Sequence, residues 1–172
     1  EWIIIDGGSN TKTINEVERY KKDSPLEIIL LPREGTTIYS ALNIGISKSK
    51  SDFYLVAGCD DSLDKDCIYN YSINLSTQND FLVSQVIKNG KKSNLYNKKF
   101  NFFHYYGSTK KITNHSLGLL IKKELHKKLG FYDPSYIVLA DTKFIIKAHI
   151  KKYNFAYFEF PSGNVGCNGI SR

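Results

Sequence analysis

Short apolar runs alternate with segments of helical periodicity along the first third of the chain. Residues 2–5, 27–31 and 53–57 are apolar runs of the length that a buried strand needs. Between them, residues 13–22 and 38–46 place apolar side chains three or four positions apart, as one face of a helix does. This alternation predicts an α/β fold with a mainly parallel central sheet.

The second half of the chain repeats these signals less regularly. Asn89 and Gly90 form a tight-turn signal, and Gly130 is typical of the end of a helix. The predicted strands are residues 81–87, 116–121 and 157–160, and the predicted helices are residues 123–128 and 140–150. Because no repeat or low-complexity linker divides the sequence, residues 1–172 are predicted to form a single domain.

An adjacent pair of carboxylates, Asp60 and Asp61, follows the third predicted strand. Because like charges repel, two adjacent carboxylates are costly to hold together unless a cation lies between them. Oxygen ligands of this kind suit Mg²⁺ or Mn²⁺, ions that keep several waters and bridge to phosphate oxygens. The pair therefore predicts a divalent-metal site. The alternative is structural, with Asp60 capping the next helix and Asp61 solvated.

A second acidic turn begins at Asp6, which ends the first predicted strand and precedes Gly7, Gly8 and Ser9. The Asp6 carboxylate could accept hydrogen bonds from a base or ribose, and the glycines would let backbone amides approach a ligand. The alternative is an Asx turn that only ends the strand. Because ligands of parallel α/β sheets lie beyond the carboxyl ends of the strands, we expect both acidic turns on the ligand edge.

Charge and cysteine content narrow the classes of partner. The formal net charge is +7, which suits an anionic membrane, nucleic acid or a phosphate-bearing substrate. Arginine, the residue most used in base reading, occurs only at three positions, so we expect no nucleic-acid partner. The three cysteines form no CxxC pair and indicate neither a zinc site nor a disulfide framework. With no apolar run of ~20 residues, we expect a cytoplasmic chain, soluble or attached peripherally to the inner face of the membrane.

Five segments, in chain order, resemble motifs of the family 2 glycosyltransferases. Residues 1–13 read EWIIIDGGSNTKT and resemble the family's E-x-I-I-I-D-G-G-S-T-D-G-T. Residues 38–46 read IYSALNIGI and resemble I-Y-D-A-M-N-K-G-I. Residues 54–61 read YLVAGCDD and are similar to F-L-G-A-D-D, the family's strand and metal turn.

The two remaining segments lie in the second half of the chain. Residues 130–133 read GFYD and, with LAD at 139–141, resemble G-x-F-D-E followed by A-A-D-Y. Residues 169–171 read GIS and are similar to a G-G-I-S ending. The resemblance implies the GT-A fold, a Rossmann-like fold of nucleotide-diphospho-sugar transferases. It also implies a first strand and helix that would precede Glu1.

This resemblance carries expectations about activity. It implies a bacterial polysaccharide-biosynthesis glycosyltransferase of the cell envelope that uses Mn²⁺ or Mg²⁺. The enzyme would move a sugar, with inversion, from a UDP-linked nucleotide sugar to a saccharide or lipid-linked saccharide acceptor. Residues 1–80 would bind the nucleotide sugar, and residues 81–172 would form the acceptor side.

The resemblance also implies roles for single residues. Asp141 would be the catalytic base, and His115 would contact the donor phosphate or the metal. Asp60 and Asp61 would hold the metal ion. The nucleotide would be bound by Asp60 together with Asp6, Gly7, Gly8 and Ser9.

The sequence departs from the family pattern at three positions. Ser40 stands where the family has Asp, Gly35 stands at an acidic position, and Gly58 opens the metal turn in place of Asp. Two other functions stay open. One is a catalytically silent member of the fold that binds a nucleotide sugar or carbohydrate. The other is a basic adaptor that docks on anionic surfaces through Lys91-Lys92, Lys98-Lys99 and Lys110-Lys111.

Overall fold

The computed structural model describes residues 1–93 and 115–166. The chain divides into two compact units. The first unit contains Glu1–Ser51 and Phe131–Ala140, and the second contains Asp52–Gly130 and Asp141–Arg172. The division of labour expected at residue 80 stays a prediction.

The first unit is built on a parallel pair of strands. β1 (Trp2–Asp6) runs parallel to β2 (Ile28–Pro32), and Trp2 lies opposite Ile28. The pairing ends at Pro32, which has no amide hydrogen to donate to a ladder. α1 (Thr11–Asp23) connects the two strands, and α2 (Ile38–Lys48) follows them. The two strands and two helices predicted for this part of the chain are confirmed.

Both helices of the first unit begin at side-chain caps. The Asn10 side chain accepts a hydrogen bond from the Thr13 amide at 3.0 Å, and the Thr37 hydroxyl accepts one from the Ser40 amide at 3.3 Å. These bonds satisfy amides of the first helical turn, which have no partner within the helix. Ser40, one of the departures from the family pattern, therefore takes part in the start of α2.

The side chain of Glu1 ties the start of β1 to the turn after α2. Its Oε1 atom accepts hydrogen bonds from the amides of Lys50 at 2.8 Å and Ser51 at 3.1 Å. The hydroxyls of Ser49 and Ser51 donate to the same atom. Desolvation raises the pKa of the Glu1 carboxyl, but these hydrogen bonds outweigh it and lower the pKa to about 2.

In the described residues, the second unit is built on a six-stranded sheet. Its strands are β3 (Phe53–Tyr54), β4 (Ser62–Leu63), β5 (Phe81–Lys88), β6 (Lys91–Lys92), β7 (Leu119–Lys122) and β8 (Phe155–Asn164). The strand order is β3-β7-β5-β8-β4, and β6 also pairs with β5. Its helices are α3 (Cys67–Ile73), α4 (Leu125–Leu129) and α5 (Ala140–Ile150). In the part of the chain that the structure describes, no helix is long and apolar enough to cross a membrane.

The sheet of the second unit is mixed, whereas the sequence favours a mainly parallel one. β8 runs parallel to β5, but the β3–β7, β5–β7, β5–β6 and β4–β8 pairs are antiparallel. Apolar runs report that a strand is buried and say little about the direction of its neighbours. The α/β class is confirmed, and the direction of pairing is a property of the tertiary fold.

Several predicted elements of this unit differ in extent. β3 ends at Tyr54, and β8 is ten residues long. Ser116–Gly118 forms a 3₁₀ turn where a strand is predicted, because the Gly118 amide donates to the His115 carbonyl at 2.8 Å. The Asn89–Gly90 turn is confirmed, with φ angles of 52° and 72°. Such positive φ angles are those of a hairpin turn favoured by Asn-Gly.

A buried histidine links three elements of this unit. His126 of α4 donates from Nδ1 to the Gly130 carbonyl at 3.2 Å, so its Nε2 atom accepts from the Tyr54 hydroxyl at 2.7 Å. Its ring stacks on Phe144 of α5 with the centroids 4.4 Å apart. Burial lowers the pKa of His126, which favours the neutral ring that this arrangement needs.

Candidate functional site

The Asp6 turn closes directly after β1. The Asp6 carboxylate accepts hydrogen bonds from the Gly8 amide at 3.2 Å and the Ser9 amide at 3.1 Å. A hydrogen bond from the Ser9 hydroxyl is the main cause of the lowered pKa of the Asp6 carboxyl. Desolvation raises this pKa, and the two amides lower it further. An added Cβ at Gly7 would meet no atom within 4 Å. The structural alternative, an Asx turn, is therefore present, and nucleotide contact by this turn stays a prediction.

The Asp60–Asp61 turn lies between β3 and β4. The Oδ2 atom of Asp61 accepts a hydrogen bond from the Gly58 amide at 2.8 Å. In return, the Asp61 amide donates a hydrogen bond to the Gly58 carbonyl at 3.2 Å. An added Cβ at Gly58 would lie 3.2 Å from a carboxylate oxygen of each aspartate. Asp60 does not cap the next helix, because α3 begins at Cys67 and its N-cap is Asp66. The structural alternative stated for Asp60 is therefore wrong.

Gly166, just beyond the end of β8, is the second partner of this turn. Its amide donates to Oδ1 of Asp61 at 3.0 Å. An added Cβ at Gly166 would lie 2.5 Å from the backbone oxygen of Asp60 and closer still to the Asp60 carboxylate. Because real side-chain carbons do not approach backbone oxygens so closely, only glycine fits here without a shift of the backbone. No sequence motif marks Gly166.

The carboxylates of Asp60 and Asp61 fit a divalent ion that binds together with phosphate. Within residues 1–93 and 115–166, no group of three His, Cys, Asp or Glu side chains is placed to hold a metal. Carboxylate oxygens suit an ion such as Mg²⁺, which in many phosphate-binding sites also binds water and phosphate oxygens. Each Asp61 oxygen accepts one amide and keeps a second lone pair for an ion. The ion itself stays a prediction.

Asp141 lies in the first turn of α5 and is half-buried. The positive end of the helix dipole stabilises a carboxylate in that position. Leu139, two residues earlier, has a φ angle of 75°, which few residues other than glycine adopt. Backbone strain of this kind costs about 1–3 kcal/mol and tends to occur near functional sites. The role of Asp141 as the base stays a prediction.

His115 begins the 3₁₀ turn of the second unit. Its Nδ1 atom accepts a hydrogen bond from the Leu117 amide at 3.3 Å, and its side chain is half-buried. An acceptor at Nδ1 leaves the proton of a neutral ring on Nε2, where it could be donated to a phosphate oxygen. His115 thus has a structural role as a cap. The expected contact with phosphate or metal stays a prediction.

Asn43 fastens the GFYD segment to α2 within the first unit. Its side-chain amide donates to the Tyr132 carbonyl at 2.7 Å and its Oδ1 atom accepts from the Tyr132 amide at 3.0 Å. Tyr132 also packs its ring against Tyr39 at 5.8 Å. Asn43 belongs to the segment at residues 38–46 that resembles a family motif, so the sequence marks the residue. The sequence does not indicate that its partner is Tyr132. Residues 169–171, the last motif of the resemblance, lie outside the described residues.

Comparison with known proteins agrees with this fold. The glycosyl transferase family 2 profile matches residues 1–139. Residues 1–349 of S. aureus TarS in complex with UDP align with a TM-score of 0.74 and 15% identity, covering 95% of this chain and 50% of that chain. The complex of the same protein with UDP-GlcNAc aligns with a TM-score of 0.75 and 14% identity, covering 97% and 49%. No curated protein matches this chain in sequence.

These comparisons settle the fold and the family. The chain spans about half the length of the TarS structures that it matches. At this level of identity the structural likeness shows the fold, which is the predicted GT-A type of α/β fold. The family profile covers 139 of 172 residues, including the Asp6 turn, the Asp60–Asp61 turn and the GFYD segment. The chain belongs to glycosyl transferase family 2.

Proposed function

We propose that this chain is the catalytic core of a glycosyltransferase that uses a UDP-linked sugar as donor. Its reaction would transfer the sugar with inversion to a saccharide or lipid-linked saccharide, in the assembly of a cell-envelope polysaccharide. The observation that carries the proposal is the Asp60–Asp61 turn, in which amides of Gly58 and Gly166 orient the Asp61 carboxylate. Family membership and the UDP complexes of the TarS structures support a nucleotide-sugar donor.

The donor nucleotide would be bound by the Asp6 turn. The Asp6 carboxylate already accepts amides of Gly8 and Ser9, and its remaining lone pairs can accept a hydrogen bond from uracil or ribose. Gly7 carries no side chain that would keep a ligand from the backbone. Asp6 would therefore select the nucleoside rather than the sugar.

The diphosphate would be bound at the Asp60–Asp61 turn. These two carboxylates would hold Mn²⁺ or Mg²⁺, and the ion when bound would neutralise negative charge on the departing diphosphate. Asp60 is exposed and Asp61 is half-buried. The turn would present one solvent-facing carboxylate and one whose orientation is set by the protein.

Asp141 would act on the acceptor. Its carboxylate would take the proton from an acceptor hydroxyl while that oxygen forms a bond to the anomeric carbon and the bond to the diphosphate breaks. The electron pair of the broken bond leaves with UDP, and a single displacement inverts the anomeric centre. Its place in the first turn of α5 supports this role, because the helix dipole stabilises an ionised carboxylate there.

Hydrolysis of UDP-GlcNAc by the purified chain tests the proposal, because water can replace the acceptor. We expect UDP release that requires Mn²⁺ or Mg²⁺ and stops in EDTA. Calorimetric binding of UDP without any turnover would instead support the silent member of the fold. Failure to bind UDP with or without Mn²⁺ would overturn the proposal.

We further propose that the solvent face of α5 docks on an anionic lipid surface. Lys147 and Ile150 are exposed there, Ile150 to 61%, and the exposed residues Lys151 and Lys152 follow the helix. The single acidic residue of α5, Asp141, lies at its other end. Lysines near an anionic leaflet contribute ~1 kcal/mol each, and an exposed aliphatic side chain adds insertion into the interface.

Co-sedimentation with vesicles tests the docking face. We expect binding to vesicles that contain phosphatidylglycerol, little binding to pure phosphatidylcholine, and loss of binding in the double variant Lys147→Glu, Lys151→Glu. The control Lys12→Glu, Lys22→Glu makes the same charge change on exposed positions of α1. Equal loss in both variants, or equal affinity for duplex DNA, would overturn this proposal.

A further inference from the structure

We infer that Gly166 is a positioning residue for the metal-binding turn. The inference rests on the proposed role of Asp60 and Asp61, and adds a residue that neither the motifs nor the charge pattern indicate. Gly166 acts on the turn in two ways. Its amide orients the Asp61 carboxylate, and its missing side chain leaves room for Asp60.

The first action is a hydrogen bond that fixes the rotation of a metal ligand. The Gly166 amide donates to Oδ1 of Asp61 at 3.0 Å, and the Gly58 amide donates to Oδ2 of the same carboxylate at 2.8 Å. With one donor on each oxygen, the carboxylate plane cannot turn without breaking a hydrogen bond. Groups that orient metal ligands in this way change metal affinity by ~10–100-fold when removed.

The second action is a close approach of two backbone segments. A Cβ at Gly166 would lie 2.5 Å from the backbone oxygen of Asp60. Rotation of a side chain cannot relieve a contact with backbone, so any larger residue must push the turn away from the end of β8. Both aspartates would then move, since they are adjacent in the chain.

The strand ladder fixes Gly166 relative to the turn. Asn164 of β8 pairs with Ser62, the residue directly after Asp61, and the Val165 amide donates to the Ile87 carbonyl at 2.8 Å. β8 is thus held by β4 on one side and β5 on the other, up to the residue before Gly166. A rigid element on which a site is built holds its geometry better than a loop does.

The variant Gly166→Ala tests this role through metal affinity. We expect Mn²⁺ affinity in the presence of UDP, measured by electron paramagnetic resonance, to fall ~10–100-fold. UDP affinity in EDTA should not change. In an Asp60→Asn background the same substitution should have little further effect on Mn²⁺ affinity, because coupled residues are non-additive. A purely structural glycine would lower the unfolding temperature and leave Mn²⁺ affinity as in the wild type.

Asn164→Ala is the matched control at the end of β8, two residues before Gly166. Its side-chain amide donates to the Ser62 hydroxyl at 3.5 Å, a contact that involves neither carboxylate of the turn, so we expect wild-type Mn²⁺ affinity. If the control weakens Mn²⁺ binding as much as Gly166→Ala does, a general disturbance of the β4–β8 pair is responsible and the inference is overturned.

Hydrogen exchange keeps the inference testable if Gly166→Ala does not fold. In the wild-type chain labelled with ¹⁵N, the Gly166 amide should be protected from exchange, and Asp61→Ala should remove that protection. An unprotected Gly166 amide in the wild type would overturn the inference. A wild-type chain that binds no Mn²⁺ with UDP, yet shows the protected amide, would refute the proposed metal role. The hydrogen bond between Gly166 and Asp61 would still stand.

Discussion

The Asp6 turn and the Asp60–Asp61 turn carry similar carboxylates, but different parts of the chain hold them. The Asp6 carboxylate accepts hydrogen bonds from the amides of Gly8 and Ser9, two and three residues later. The Asp61 carboxylate accepts one hydrogen bond from the Gly58 amide, three residues earlier, and one from the Gly166 amide, 105 residues later. The first turn can therefore form from residues next to one another in the sequence. The second forms completely only after β8 has joined the sheet. The proposed metal site depends on the folding of its whole unit.

The largest expected effect concerns a carboxylate that belongs to neither turn. Asp141→Asn should lower the rate of UDP release from UDP-GlcNAc by ~10²–10⁴-fold, because the base would be lost. UDP affinity should stay as in the wild type, since both turns are untouched. Asp133→Asn is the control, because this carboxylate accepts the Ser135 amide at 3.1 Å in the preceding segment. A full rate in Asp141→Asn would remove this residue from the reaction.

The second effect sharpens the comparison at the metal turn. Asp60→Asn should reduce UDP affinity in Mn²⁺ to the value measured in EDTA, a loss of ~10²-fold, because one anionic ligand of the ion is neutralised. Calorimetry with and without EDTA measures this difference. Asp64→Asn changes a neighbouring carboxylate that accepts the Asp66 amide at 3.0 Å, and it should behave as the wild type. Tight wild-type binding in EDTA would contradict the metal role.

The third effect is smaller and should not depend on metal. Asp6→Ala should weaken UDP binding by ~10-fold both in Mn²⁺ and in EDTA, as expected for the loss of one hydrogen bond to a charged group. Asp6→Asn keeps an acceptor for the Gly8 and Ser9 amides and serves as the control for the turn itself. Unchanged UDP affinity in Asp6→Ala would remove Asp6 from the nucleotide site.

The smallest effect contrasts the two units in acid. Burial lowers the pKa of His149 to about 4, and its ring stacks on Phe155 at 3.8 Å. Because the unfolded state binds the proton more tightly, stability should fall as the pH drops from ~6.5 to about 4. Hydrogen bonds at Glu1 lower its pKa to about 2, so its contribution should be lost between ~4.5 and about 2.

Thermal unfolding over this pH range checks both windows. His149→Gln should flatten the loss between pH 6.5 and 4, since glutamine does not titrate. Glu1→Gln should change only the range below pH 4.5. A wild-type unfolding temperature that is constant between pH 6.5 and 4 would contradict the predicted loss of stability at His149.

Local signals were sufficient for the first unit and for one of the two turns. The periodicity of residues 2–46 determines β1, α1, β2 and α2, because strands and helices repeat their burial every two or 3.6 residues. Asp6 with the glycines that follow it determines an Asx turn, since donors and acceptor lie within four residues. Asn89–Gly90 likewise determines a hairpin turn through its own φ angles. Each of these features depends on neighbours in the sequence.

Tertiary structure decided the contacts that join distant segments. The hydrogen bonds between Asn43 and Tyr132 span 89 residues, and that between Gly166 and Asp61 spans 105. The direction of β8 beside β5 and the antiparallel β4–β8 pair also follow only from the assembled sheet. No local period encodes which segments meet, because the energy of these contacts appears only when loops of such length have closed. The sequence shows the two carboxylates of Asp60 and Asp61, but the hydrogen bond from Gly166 to Asp61 forms only when β8 has paired with β4.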